Sequence, residues 1–170
     1  TRSDLDGFNR TDVDIVTGVE TLDPLSVNEF LYEEDIYAAY ANYGFKKGKW
    51  GYQLGLRAEQ ANITATQITQ DSTFYNNYFQ VYPSAFITYE IARGKELNTS
   101  YSRRVQRPGG RQLNPFIDYS DPYNLRSGNP YLLPAFTGAY EFGYTQILKK
   151  GSTVSANVYF RARNNLITWY

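Results

Sequence analysis

Apolar and polar side chains alternate with a period of two along several stretches of this chain, most clearly from Trp50 to Glu59. Trp50, Tyr52, Leu54, Leu56 and Ala58 fall on one side, and Gly51, Gln53, Gly55, Arg57 and Glu59 on the other. A β-strand with one apolar and one polar face is the element that fits. Before it, Ile36 to Phe45 predicts a partner strand, with Tyr37, Ala39, Ala41, Tyr43 and Phe45 on an apolar face. Its other face, with Ile36, Ala38 and Tyr40, is only weakly polar, so this strand alone fits a soluble core equally well. Lys46 to Lys49 (Lys-Lys-Gly-Lys) joins the two as a tight hairpin turn.

The same period returns further along. Phe79, Val81, Ala85, Ile87 and Tyr89 alternate with Gln80, Tyr82, Ser84, Thr88 and Glu90. Pro83 interrupts that run and, having no N–H to give to a ladder, demands a bulge, an edge or a break. Leu97 to Arg107, Phe136 to Leu148 and Val154 to Arg163 predict three more strands, and Asp12 to Val19 a short first one, with Val13 and Ile15 on one face and Val16 on the other. Seven strands result. Short Lys/Gly turns at 46–49, 93–96 and 149–152 alternate with two long loops, at 62–77 and 108–134. Short turns at one end and long loops at the other are the signature of a transmembrane barrel, and these strands are long enough for the roughly 9–11 residues a bilayer crossing takes. The expected fold is therefore all-β: long antiparallel meander strands forming part of a transmembrane β-barrel.

Composition modifies this picture in a few places. A mean hydropathy of −0.53 suits a soluble protein, yet alternation keeps the average low in a membrane barrel too. The 17% aromatic content, with 17 tyrosines, suits a membrane–water interface, where amphipathic rings settle. Polar-face Gln53, Arg57, Glu59, Glu90, Glu141, Arg161 and Arg163 mix both charges, which a wet lumen tolerates and a dry core does not unless each is paired. Thr1 to Arg10 is polar and Leu166 to Tyr170 is still strand-like, so residues 1–170 are expected to be a partial barrel domain.

The 17 basic and 17 acidic residues cancel, leaving no field for nucleic acid. Without cysteine or histidine there is no disulfide, thiolate site, catalytic triad or imidazole ligand. We expect no enzyme activity, no cofactor and no metal. Glu33, Glu34 and Asp35 make an acidic cluster whose spacing does not fit a calcium loop, and it reads as a solvated rim.

The stretch that organises the chain runs from Tyr101 to Tyr144, a strand, a long loop and a strand. Pro108, Pro115, Pro122 and Pro130 keep any regular element from running unbroken through its middle, and Pro134 closes it. Aromatic and charged side chains between them make it too rich for a passive linker, so an ordered loop is expected. Ordered loops on rigid scaffolds carry recognition, and the candidate ligand-binding residues are Arg111, Phe116, Asp118, Tyr119, Asp121, Tyr123, Arg126 and Tyr131. Asp118 and Asp121 resemble a glycosidase pair only superficially, because Asp-Pro-Tyr is turn chemistry. Arg103, Arg104, Arg107 and Arg111 approach the loop, and strand alternation sets Arg103 and Arg107 on one face, opposite Arg104. Ion pairing with nearby acids is their simplest use, and contact with lipid phosphates or an anionic ligand is the alternative.

Within this stretch, Tyr-Ser-Arg-Arg-Val-Gln-Arg-Pro (101–108), Leu-Asn-Pro-Phe (113–116), Asp-Pro-Tyr (121–123), Gly-Asn-Pro-Tyr-Leu-Leu-Pro (128–134) and Tyr-Glu-Phe-Gly-Tyr (140–144) resemble the outer-membrane β-barrel family related to TonB-dependent receptors of Bacteroidetes-type bacteria. Tyr37 to Tyr40, Tyr52 to Glu59 and Tyr82 to Tyr89 are similar to the same family's barrel strands. The resemblance implies a plugged barrel of about 22 strands in the full protein. It also implies uptake of a scarce solute, with outer-membrane lipid, the protein's own plug domain and a TonB-type energy-coupling protein as partners. Two other functions fit the residues: a non-transporting barrel for adhesion or assembly, and a soluble, aromatic-rich carbohydrate-binding β-domain.

Overall fold

A computed structural model of the chain describes residues 2–8, 11–13, 17–18, 20–22, 27–118, 123–148 and 151–168. Its strands are β1 (Arg2–Phe8), β2 (Thr11–Val13), β3 (Glu20–Leu22), β4 (Asn28–Lys47), β5 (Trp50–Gln67), β6 (Ser72–Ala92), β7 (Lys95–Gln106), β8 (Ala135–Ile147) and β9 (Thr153–Asn164), with one helical turn, α1 (Gly110–Leu113). One seven-stranded sheet has the order β1-β4-β5-β6-β7-β8-β9, and β2 pairs with β3 apart from it. From β4 onward each strand neighbours the next in sequence, so the sheet is the expected all-β meander. The short turns use glycine as the sequence demands: Gly48, Gly94 and Gly151 have φ of 60°, 75° and 81°, a region open to glycine and strained for other residues.

Three expectations need correction. The 62–77 loop is instead the top of a hairpin, since β5 continues to Gln67, a turn occupies Ile68 to Asp71, and β6 starts at Ser72. Its Thr, Asn and Gln side chains look loop-like in composition, but they alternate with Ala61, Ile63 and Ala65, which are buried. The first strand of the sheet is Arg2–Phe8, not Asp12 to Val19: it pairs antiparallel with β4, from Arg2 opposite Glu34 to Phe8 opposite Asn28. Of the expected strand, Asp12 and Val13 belong to β2, while Asp14, Ile15, Val16 and Val19 lie outside the described residues. The polar β1 carries no alternation to read, and backbone hydrogen bonds to β4 hold it. Finally, the acidic cluster lies within β4 rather than on a rim, with Glu33 exposed and Glu34 and Asp35 half-buried.

Pro83 does what its missing N–H requires. The ladder between β6 and β7 runs from Ala92–Lys95 to Ser84–Ser102 and ends there, with a separate register shift between Glu90 and Ala92. Beyond that point β7 is paired to β8 up to Gln106–Ala135.

The chain divides into two compact units, and β4, β5 and β6 contribute to both. The first comprises Thr1–Tyr37, Gln60–Tyr78 and Pro108–Leu133. Its core is Phe30, Tyr32, Ile63, Ala65 and Leu113, all buried, with Phe74, Tyr78 and Leu132 packed against it. Gln67 sits fully buried nearby and donates from Nε2 to Asn28 Oδ1 at 2.8 Å.

The second unit comprises Ala38–Glu59, Phe79–Arg107 and Pro134–Tyr170. Its register puts Leu97 opposite Tyr144, Tyr101 opposite Tyr140, and Tyr140 opposite Phe160. Those side chains share one apolar face, while Asn98, Ser100, Glu141, Gly143, Asn157 and Tyr159 share the other. The apolar face is laid open: Leu56 is 52% exposed, Phe142 52% and Val158 72%. An apolar surface of this extent marks contact with a partner or a membrane.

Along β5 the two faces exchange character. Even positions are apolar from Trp50 to Ala58 and polar from Gln60 to Thr66; odd positions are polar from Gly51 to Glu59 and turn to Ala61, Ile63 and Ala65. β4 makes the same exchange, with buried Phe30 and Tyr32 at even positions and exposed Tyr37, Tyr43 and Phe45 at odd ones. A strand that passes from one solvent into another must do this, because the side that meets water in one medium is the side that meets hydrocarbon in the other.

Candidate functional site

Of the ordered loop expected between Tyr101 and Tyr144, the described residues 108–118 and 123–134 are held by named contacts. Leu113, in α1, is 1% exposed and drives into the Phe30–Ile63 core. The Gly109 N–H donates to Gln112 Oε1 at 2.9 Å, closing that helical turn. Gly128 N–H donates to the Asn114 carbonyl and Asn129 N–H to the Gln112 carbonyl, both at 2.8 Å. Ser127 Oγ donates to the Pro115 carbonyl at 3.0 Å, and Asn76 Nδ2 on β6 to the Leu132 carbonyl at 3.2 Å. Asn114 Oδ1 accepts from Phe116 N–H and Asn129 Oδ1 from Tyr131 N–H, two asparagine turns placed just before or after a proline.

Gly128 is where this arrangement is tightest. A Cβ there would stand 2.5 Å from the Gln112 oxygen and 2.6 Å from the Asn114 oxygen. Both are backbone atoms that cannot step aside. Gly128→Ala is therefore expected to cost about 1–3 kcal/mol by overpacking. The check is trypsin cleavage after Arg111 or Arg126 in the folded protein, which should quicken; an unchanged rate would show that the loop absorbs the methyl.

The candidate ligand residues are distributed over this loop. Arg111 is exposed on α1, and Phe116 is half-buried. Asp118 and Arg126 face one another, Asp118 N–H donating to the Arg126 carbonyl at 2.8 Å, with the Arg126 side chain exposed. Tyr123 is 99% exposed. Tyr131 is largely exposed and stands edge-on to Phe74, ring centroids 5.7 Å apart. Tyr119 and Asp121 lie outside the described residues. What sequence reading missed is the seat beneath the loop, namely Phe30, Tyr32, Ile63 and Phe74; the period of two through Ala61, Ile63 and Ala65 was the available signal.

Tyr32 adds a pH dependence to that seat. Burial, reinforced by the Glu34 carboxylate beside it, pushes its phenol well above the ordinary value near 10. The folded state thus holds this proton more tightly than the unfolded state does. Stability from this source is complete below pH about 10 and declines as the pH rises beyond it. Tyr32→Phe is expected to flatten the loss of stability between about pH 10 and 12, measured by denaturant unfolding at a series of pH values.

In the second unit, Arg107 corrects the expectation that it shares a face with Arg103. β7 stops at Gln106, one residue earlier, so the alternation no longer governs it. Its guanidinium Nη2 pairs with Glu59 Oε2, while Arg57 Nε reaches Glu59 Oε1 at 3.0 Å. Glu59 has only 7% of its side chain exposed and Arg107 18%. The Arg57 guanidinium also stands 5.1 Å from the centroid of the buried Tyr82 ring. Arg103 instead lies on the apolar face, 4.8 Å over the Phe136 ring.

Aromatic rings gather on the apolar face near the Gly48 turn, where Tyr43, Phe45, Tyr52, Trp50 and Tyr89 form a chain with centroid spacings of 5.5, 4.7, 6.1 and 4.5 Å. Such belts belong to a membrane interface. Among the described residues no cluster of three or more carboxylates, cysteines or histidines is placed to hold a metal. A family model described as "Outer membrane protein beta-barrel family" matches residues 1–170. No curated protein matches the chain.

Proposed function

The chain belongs to the outer membrane protein beta-barrel family and sits in the bacterial outer membrane, and we propose that it serves there in TonB-dependent uptake of a scarce solute through a plugged barrel. The observation that carries this reading is the docking of loop residues 108–118 and 123–133. They are anchored by Leu113 and Leu132 in the first unit and show Arg111, Tyr123, Arg126 and Tyr131 to solvent. A receptor needs that division: a backbone held in place, which prepays the entropy of capture, and side chains exposed where solute arrives. The sequence motifs from Tyr101 to Tyr144 support the relation to TonB-dependent receptors.

In this role the apolar face contacts lipid, and the partners are the protein's own plug domain, a TonB-type energy-coupling protein and the solute. The test uses source cells lacking the full gene, cells lacking the coupling protein, and parent cells, each offered pools of labelled vitamins, metal chelates and oligosaccharides. Uptake of one solute that fails in both deletions is expected. A gene deletion that leaves every uptake intact while abolishing adhesion to a surface would overturn the proposal in favour of a non-transporting barrel.

A further inference from the structure

The apolar face of the second unit holds one side chain that does not suit hydrocarbon. Among the described residues of this unit, the positions of β5, β6, β8 and β9 on this face carry no charge, and β4 and β7 carry Lys47 and Lys95 only beside their turns; Glu29, Glu33 and Asp35, on the same side of β4, lie outside this unit. Arg103 is the exception. It stands on β7 in the alternation Leu97, Thr99, Tyr101, Arg103, Val105, opposite Gly138 and between the pairs Tyr101–Tyr140 and Val105–Phe136. It is half-buried, and its guanidinium is spread over the Phe136 ring. A cation held against a lipid-facing surface is costly unless it reaches a headgroup or an anion.

Beside it the same face is recessed. A groove of about 480 Å³ runs between β4 and β7, lined by Ala41, Tyr43, Leu54, Leu56, Ala85 and Tyr101, with Pro83 at its side. Its lining sets small Ala41 and Ala85 among the larger Tyr43, Leu54, Leu56 and Tyr101. The recess lies where the β6–β7 ladder ends, and its size falls within the range of ligand pockets, about 300–1,000 Å³. Tyr101 lines the groove, and Arg103 follows it two residues later on the same face, roughly 7 Å farther along the strand.

We propose that this face is a binding site for a phosphate-bearing lipid of the outer leaflet, an acyl chain lying in the groove and a phosphate oxygen pair accepting from the Arg103 guanidinium. Charge complementarity selects the headgroup: a guanidinium fork fits phosphate bidentately, and stacking on Phe136 holds the fork in place. The leaflet follows from the chain's direction. Arg103 lies toward the Gln106 end of β7, the end that feeds the long loop, and long loops of such barrels are extracellular.

The test uses full-length protein purified from its own outer membrane in mild detergent and weighed by native mass spectrometry. A retained lipid adduct is expected, with a mass that identifies glycolipid or phospholipid. Arg103→Gln and Ala85→Phe, which remove the cation and fill the groove, should each lower adduct occupancy by about tenfold or more, a change of about 1.4 kcal/mol or more. Arg103→Lys should retain part of it. Heat-modifiable gel mobility checks that each variant is folded. A measurement without variants accompanies this one: delipidated wild-type protein in nanodiscs of a phosphate-bearing lipid or of a neutral glycolipid with the same chains. Higher thermal stability in the first is expected. Equal stability in both, absence of any adduct, or an adduct that survives Arg103→Gln unchanged would overturn the proposal.

Discussion

Glu59→Ala is expected to destabilise the folded protein by about 3–5 kcal/mol, the cost of breaking a buried ion pair from one side. The carboxylate is nearly inaccessible and joins Arg107 through one oxygen and Arg57 through the other. Its removal takes the paired carboxylate from the Arg107 guanidinium, which has 18% of its side chain exposed. Arg57, about half exposed, contributes little, because an exposed partner finds solvent instead. Denaturant unfolding in detergent micelles, followed by Trp50 fluorescence, gives the number. The double replacement Glu59→Leu with Arg107→Met should recover most of the loss, since a well-packed apolar pair of similar volume is often neutral relative to a buried ion pair. A loss below about 1 kcal/mol for Glu59→Ala would show that water reaches this pair and that it behaves as a surface bridge.

The second large effect is expected on the apolar face. Leu56→Arg places a guanidinium where the side chain meets lipid, at a cost of about 2–4 kcal/mol if the site is near the bilayer midplane and less toward the interfaces. Two companion substitutions turn this into a map. Gln53→Arg lies on the polar face of the same strand, and Thr64→Arg lies on the same face as Leu56 but beyond the exchange of character after Ala58. Both should stay within about 0.5–1 kcal/mol of the parent. Folding yield into vesicles and heat-modifiable mobility are the readouts. Equal losses at Leu56 and Thr64 would show that hydrocarbon extends to the strand's upper part and that its polar side chains do not mark the membrane's edge.

Some of this molecule is legible from short-range pattern alone. Alternation at Trp50 to Glu59, at Phe136 to Leu148 and at Val154 to Arg163 marked strands that the structure contains as β5, β8 and β9, with turn ends a residue or two away. Pro83 was read correctly as a break in pairing. Residues 62–77 were assigned to a loop on their Thr, Asn and Gln content, although the same residues alternate around buried Ala61, Ile63 and Ala65. There the period, not the composition, marks the strand. Arg107 was assigned a face by extending β7 one residue past its end. The candidate loop was recognised as ordered, but its side chains gave no sign of the hydrophobic seat that orders it, because Phe30, Ile63 and Leu113 lie far apart in the chain.

By itself the sequence determined the class of this protein. A period of two fixes which side chains share a face, and glycines within the short Lys/Gly turns fix where hairpins turn. These are local consequences of backbone geometry and residue type. Only the tertiary structure decided which strands pair beyond the nearest neighbour, so that polar Arg2–Phe8 joins β4. It also decided that Arg107 meets Glu59 and that Leu113 folds down onto Phe30. Those contacts join residues distant in sequence, and their energy comes from burial and ion pairing that exist only once the strands have assembled.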